Sequence, residues 1–170
     1  MQRLILMRHG KAERASMAVD DSERRLSERG AEDARIIGRV LKEQGLVPDL
    51  ALVSSATRTQ ETWAAVSENF PVVRVQVRQG LYLASSSHIR EAIERMAAPD
   101  ETLMVVGHNP GLHDLAMRLL VESSAPPSVM SKLANGFPTS TAAAFIVDEA
   151  GRHQYDGIFY VRDYGGGGHE

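Results

Sequence analysis

A chain of 170 residues fits one domain of roughly 100 to 200 residues and is long enough to bury a core, while 43% hydrophobic and 24% charged residues set disorder aside. The net charge of −3, from 19 basic and 22 acidic side chains with no long block of one sign, speaks against a nucleic-acid or anionic-membrane surface, so neither is expected as a partner. Without cysteine there are no disulfides, thiol chemistry or Cys-based zinc sites, which fits a reducing compartment; no signal or membrane-length apolar run opens the chain, and a cytoplasmic location is expected.

Residues 4–7, 50–53 and 103–106 are short apolar runs without polar alternation, the pattern of strands buried on both faces in a parallel sheet. After the first, a helix begins near Ser27, with Ala31, Ala34, Ile37 and Leu41 on one face before Gly45 and Pro48 stop it. After the second, residues 57–70 read as a helix that buries Trp63 and Val66 and ends at Pro71. Residues 72–77 read as a further strand, and Ser87 as the cap of a helix carrying Ile89, Ile93 and Met96. After the third run Asn109 is placed to cap and Pro110 to take the first helical position, with Leu112, Leu115, Ala116 and Leu119 as the apolar stripe.

The two prolines in 123–128 mark a surface loop. Residues 141–147 and 154–161 read as strands joined through 148–152, a hairpin at one sheet edge. Strands alternating with helices imply an α/β layered fold with a mostly parallel, mixed central sheet. With no repeat and no linker, one domain over 1–164 and a flexible glycine-rich tail over 165–170 are expected.

In such a sheet, ligands bind at the carboxyl ends of the strands, where the three runs deliver Arg8-His9-Gly10, Ser54-Ser55-Ala56-Thr57-Arg58 and Gly107-His108-Asn109-Pro110. Two arginines and two histidines repel one another unless an anion sits among them, and a phosphate offers oxygens that two guanidinium forks can grip. Neighbouring positive charge lowers a histidine pKa and keeps a lone pair available, so His9 has the properties of a nucleophile toward phosphorus. Gly10 would let the backbone approach the ligand, and the helix after Asn109 could direct N–H groups toward the anion.

Bland readings stand beside these. His108 could be a hydrogen-bonded structural residue, and Arg58 could merely pair with Glu61 or Glu13. His108 and His113 are not spaced as zinc ligands on one helical face, and no Gly-x-Gly-x-x-Gly follows a strand, so neither a metal nor a dinucleotide cofactor is expected. His88, His153 and His169 read as solvated, and His113 as helix surface near the site.

Four segments, in order, resemble the histidine phosphatase superfamily, the phosphoglycerate mutase-like fold, and within it the small phosphohistidine phosphatase (SixA-like) branch. They are Arg8-His9-Gly10-Lys11-Ala12-Glu13, residues 21–30 from Asp21 to Gly30, residues 53–62 around Arg58, and Val105-Val106-Gly107-His108-Asn109-Pro110. The resemblance implies a three-layer α/β/α architecture and a metal-independent phosphatase that forms a phosphohistidine intermediate on His9. It makes His9, Arg8, Arg58 and His108 catalytic, with Arg8, Arg24, Arg58, His108 and Asn109 on the substrate. Arg25 departs from the branch, which commonly has proline there, and leaves the choice between Arg24 and Arg25 open.

Larger relatives carry a glutamate acid between the Arg58 and His108 segments, whereas Gln79-Gly80-Leu81-Tyr82 offers no carboxylate. An imidazole leaving group, with a pKa of about 6.5, needs little help from an acid. Protein phosphohistidine is therefore the first substrate expectation. A small phosphorylated metabolite is the second, and a non-catalytic phosphate-binding module or a mutase are the rivals.

Overall fold

The computed structural model describes residues 1–167. Six strands form one sheet: β1 (Arg3–Arg8), β2 (Leu50–Ser54), β3 (Arg74–Arg78), β4 (Thr102–Gly107), β5 (Ala142–Val147) and β6 (His153–Phe159), in the order β3-β2-β4-β1-β5-β6. The first four are parallel to one another; β5 runs antiparallel to β1 and to β6, and β5 and β6 close one edge as a hairpin. Five helices cover the sheet: α1 (Glu28–Glu43), α2 (Thr57–Val66), α3 (Ser86–Met96), α4 (Gly111–Glu122) and α5 (Pro127–Ala134).

The unbroken apolar runs have a simple cause. Successive side chains of a strand point to opposite faces, and both faces here are covered. Leu4, Leu6, Leu52, Leu103 and Val105 pack with Ile89 and Ile93 of α3 and with Leu112, Leu115 and Leu119 of α4. Ile5, Met7, Ala51, Val53, Met104 and Val106 pack on the other side with Ala34, Ile37 and Leu41 of α1 and with Val66 of α2. The result is the three-layer α/β/α fold with a mixed sheet.

Several local expectations shift. α2 ends at Val66 and passes into a 3₁₀ turn, Ser67–Asn69, so Trp63 lies half-buried beside Phe70 rather than inside. β3 starts two residues later than 72, and as an edge strand it exposes Val75 and Val77. Of three consecutive serines it is Ser85, not Ser87, that caps α3, accepting from the His88 N–H at 3.2 Å.

α4 begins at Gly111, because the Asn109 side chain donates to the Phe137 carbonyl at 2.9 Å instead of capping. The loop at 123–128 gives way to α5, which has Pro126 and Pro127 at its N-terminus and buries Leu133. The chain is tied beyond 164 as well: the Gly166 N–H donates to the Val161 carbonyl and the Gly167 N–H to Asp33 Oδ1. The remainder of the tail expected to be flexible, 168–170 with His169, lies outside the described residues. Among the described residues no helix is long and apolar enough to cross a membrane.

Candidate active site

β2, β4 and β1 are neighbours, so their carboxyl ends open onto one crevice. There a pocket of about 440 Å³ is lined by Arg8, His9, Asp21, Arg24, Arg58, His108 and Asn109, among others. All six residues expected from the sequence are brought together.

His9 sits just past β1, with its own N–H on the Gly107 carbonyl at 3.1 Å and its carbonyl accepting from the Ser140 N–H. It is 8% exposed. Its Nδ1 lies 2.7 Å from the Gly10 carbonyl. A carbonyl can only accept, so a neutral ring carries its proton on Nδ1 and keeps the lone pair on Nε2. Burial lowers the His9 pKa to about 4, opposed by the Gly10 hydrogen bond and assisted by Arg8, Arg58 and Arg24. The cations thus act as expected, but burial is the larger cause.

The His108 ring centre is 5.3 Å from that of His9. Its Nε2 is 2.7 Å from Ser54 Oγ, and its Nδ1 is 3.4 Å from an Arg58 nitrogen, which can only donate. Neutral His108 therefore holds its proton toward Ser54, the opposite tautomer to His9. Burial, then His9 and Arg58, lowers its pKa to about 3. In an NMR titration of the ligand-free protein the two imidazoles should take up protons in coupled steps near these values. Titration of His9 at the ordinary 6.5 would contradict the buried, neutral ring.

Arg58 comes off α2 and is 2% exposed. It pairs with neither Glu61 nor Glu13 but with Asp21, through the main-chain oxygen at 2.7 Å and the carboxylate at 3.1 Å. The same carboxylate accepts from the Tyr82 hydroxyl and pairs with Arg24 at 3.1 Å. The hydrogen bond from Tyr82 is the largest influence on its pKa; burial opposes it, and with the added bonds from Arg58 and Arg24 the pKa is held down to about 2. Asp21 was not singled out from the sequence, where it reads as one acidic residue in a polar turn; its place three residues before Arg24 was the available signal. Tyr82 was likewise missed, and its ring stands edge-on to His108 at 5.5 Å.

Arg24 faces the pocket and donates to the Glu13 carbonyl, whereas exposed Arg25 turns away to Glu61 at 3.1 Å. Arg8 donates to the Phe137 carbonyl. Gly10 serves packing more than ligand approach: a Cβ there would lie 2.7 Å from the Gly30 carbonyl, where α1 begins against the loop. The N–H of Leu112 is spent on the His108 carbonyl. His113 binds the Leu133 carbonyl at 2.6 Å and so joins α4 to α5. His153 is half-buried against Phe145, not fully solvated, and its pKa is lowered by that burial. His88 is exposed, as expected.

Residues 4–82 match the model of the histidine phosphatase superfamily (branch 1). The chain is 32% identical over 141 residues to an uncharacterised protein of Mycobacterium tuberculosis, covering 83% of this chain and 87% of that one. The chain belongs to the histidine phosphatase superfamily.

The protein assigned as phosphohistidine phosphatase SixA from Agrobacterium tumefaciens superposes with a TM-score of 0.81 at 27% identity, over 94% of this chain and 97% of that one. The protein histidine phosphatase SixA complexed with tungstate shares the fold, with a TM-score of 0.70 at 23% identity over 95% and 98% of the two chains. This chain is accordingly a phosphatase of the phosphoglycerate mutase-like, SixA-like group. The segment Leu4–Tyr82 that the histidine phosphatase model matches carries Arg8, His9, Asp21, Arg24, Arg58 and Tyr82, while His108 and Asn109 lie beyond it.

Proposed function

We propose that this phosphatase transfers phosphate to His9 without a metal and that its substrate is a phosphohistidine on a protein. The observation that carries the reading is the His9 ring: Nδ1 tied to Gly10, Nε2 left with its lone pair, in a pocket with three guanidinium groups. Nε2 attacks phosphorus, the bond from phosphorus to the leaving nitrogen breaks, and the imidazole departs neutral because its other ring nitrogen already carries a proton. Water then attacks the phosphorylated His9, the Nε2–P bond breaks, and phosphate leaves with the nucleophile restored.

Arg8, Arg24 and Arg58 hold the phosphoryl oxygens and stabilise charge as it shifts between the attacking and leaving atoms. His108 contributes differently in the two states. With the pocket free of anion its Nδ1 carries no proton; a phosphate dianion beside it favours the imidazolium, which then donates from Nδ1 to an oxygen.

The carboxylate of Asp21 is the nearest candidate for a general acid, but Tyr82 and Arg58 hold it ionised, with a pKa of about 2. A poor leaving group would lack its proton donor, whereas an imidazole leaves with a pKa of about 6.5. This favours phosphohistidine over an alkyl phosphate ester. The absence of cysteine and of any long block of one charge sign fits action in the cytoplasm on a phosphorylated protein.

Rapid quenching in alkali of the enzyme mixed with radiolabelled phosphoramidate and excess chelator is the test. Label should appear on the peptide containing His9, stable to alkali and lost in acid, and turnover should survive the chelator. Turnover without label, or loss of turnover on chelation, would overturn the mechanism.

A further inference from the structure

Beside the phosphate pocket lies a second and larger cavity of about 910 Å³, with Lys11 and Thr139 as walls common to both. It runs past α5 to the turn at Val161–Tyr164 and includes Arg29, Lys132 and Arg162. We infer that this groove docks an acidic stretch of the substrate polypeptide next to its phosphorylated side chain. The inference rests on the phosphohistidine-protein reading above.

Charge is the first support. Arg29 pairs with Asp33 at 3.7 Å and Lys132 with Asp163 at 3.6 Å, so two of the four cations are compensated. Among the described residues no carboxylate pairs with Lys11 or Arg162. A net positive channel in a protein whose overall charge is −3 is a local feature. It attracts carboxylates and leaves neutral flanks indifferent.

The second support is independent of charge. Thr141 is fully buried and lines the groove, yet its Oγ1 has no hydrogen-bond partner; the hydroxyl of Tyr160, also on the groove, is buried and equally without one. Buried polar groups are ordinarily satisfied, and these two oxygens, shielded just behind the groove wall, are hydrogen-bonding capacity that a ligand reaches once the wall shifts. Hydroxyls can give and accept, which suits the alternating N–H and C=O groups of an extended peptide.

Size and direction agree. The groove has about twice the volume of the phosphate pocket, far more than one anion requires. A phosphohistidine enters the pocket attached to a backbone that must leave along some wall, and the one shared through Lys11 and Thr139 leads into these cations.

Two phosphorylated peptides test this, identical in their phosphohistidine but flanked by Asp and Glu in one and by Ser and Gln in the other. For the native sequence kcat/KM should favour the acidic peptide by about tenfold, mainly through KM, and added salt should shrink the difference. In Arg162→Glu and separately in Lys132→Glu the preference should collapse while hydrolysis of an aryl phosphate stays unchanged. Equal kcat/KM for the two peptides, or a preference that survives in both variants, overturns the groove and leaves the phosphohistidine reading intact. Hydrolysis of the aryl phosphate with neither peptide accepted overturns both and leaves a phosphatase of small esters.

Discussion

Replacing His9 by alanine is expected to lower kcat by ~10⁴-fold or more, because the variant loses the atom that bonds to phosphorus and nothing nearby can take its place. Among the described residues His108 is the only other imidazole on the pocket, and its Nε2 is committed to Ser54. Phosphate affinity should change little, since the three guanidinium groups remain. Steady-state hydrolysis of an aryl phosphate and calorimetric titration with inorganic phosphate separate the two effects. Near-native turnover in this variant would remove His9 from the mechanism. Collapse of phosphate binding together with turnover would mean that the side chain holds the pocket open instead of reacting in it.

Arg58→Ala is expected to have the second largest effect, roughly 10²- to 10³-fold in kcat, with weaker phosphate binding as well. The side chain is 2% exposed and reaches both Asp21 and His108. Its removal takes a charge-assisted fork from the phosphoryl oxygens and leaves the Asp21 carboxylate facing them with less compensation, so repulsion adds to lost attraction. Arg58→Lys should recover only part of the rate, because an ammonium supplies the charge without the planar fork. A full recovery with lysine would show that charge alone matters there. Measuring kcat and phosphate affinity for both variants, beside a thermal melt, distinguishes these cases from simple unfolding.

Much of this architecture could be read from residue order because parallel strands covered on both faces leave unbroken apolar runs. Leu4, Leu52 and Val105 stand where those runs placed them, and the groups that follow each strand meet at one end of the sheet. Boundaries were harder. Three serines in a row at 85–87 are equal as caps until the path of the preceding loop is known. Pro126-Pro127 reads as a break although proline opens a helix as readily as it ends one. Asp21 was hidden for a different reason: its partner Arg58 is 37 residues away and its partner Tyr82 is 61 away, and no local pattern encodes such a meeting. Asn109 lines the pocket, as its place after β4 implies, but it does not cap α4, since the Phe137 carbonyl claims its amide.

The ion pair between Asp21 and Arg58 gives the phosphate pocket the character of an exchanger. A phosphate entering it would compete with the Asp21 carboxylate for the one Arg58 nitrogen that the carboxylate holds at 3.1 Å. The free energy of filling the site is then the difference between two anions competing for one cation, smaller than the attraction of either alone. Substrate and product would both be held more loosely by that competition. A pocket that never stands bare of negative charge is also a poor trap for the inorganic phosphate it generates, so turnover can continue against a background of its own product.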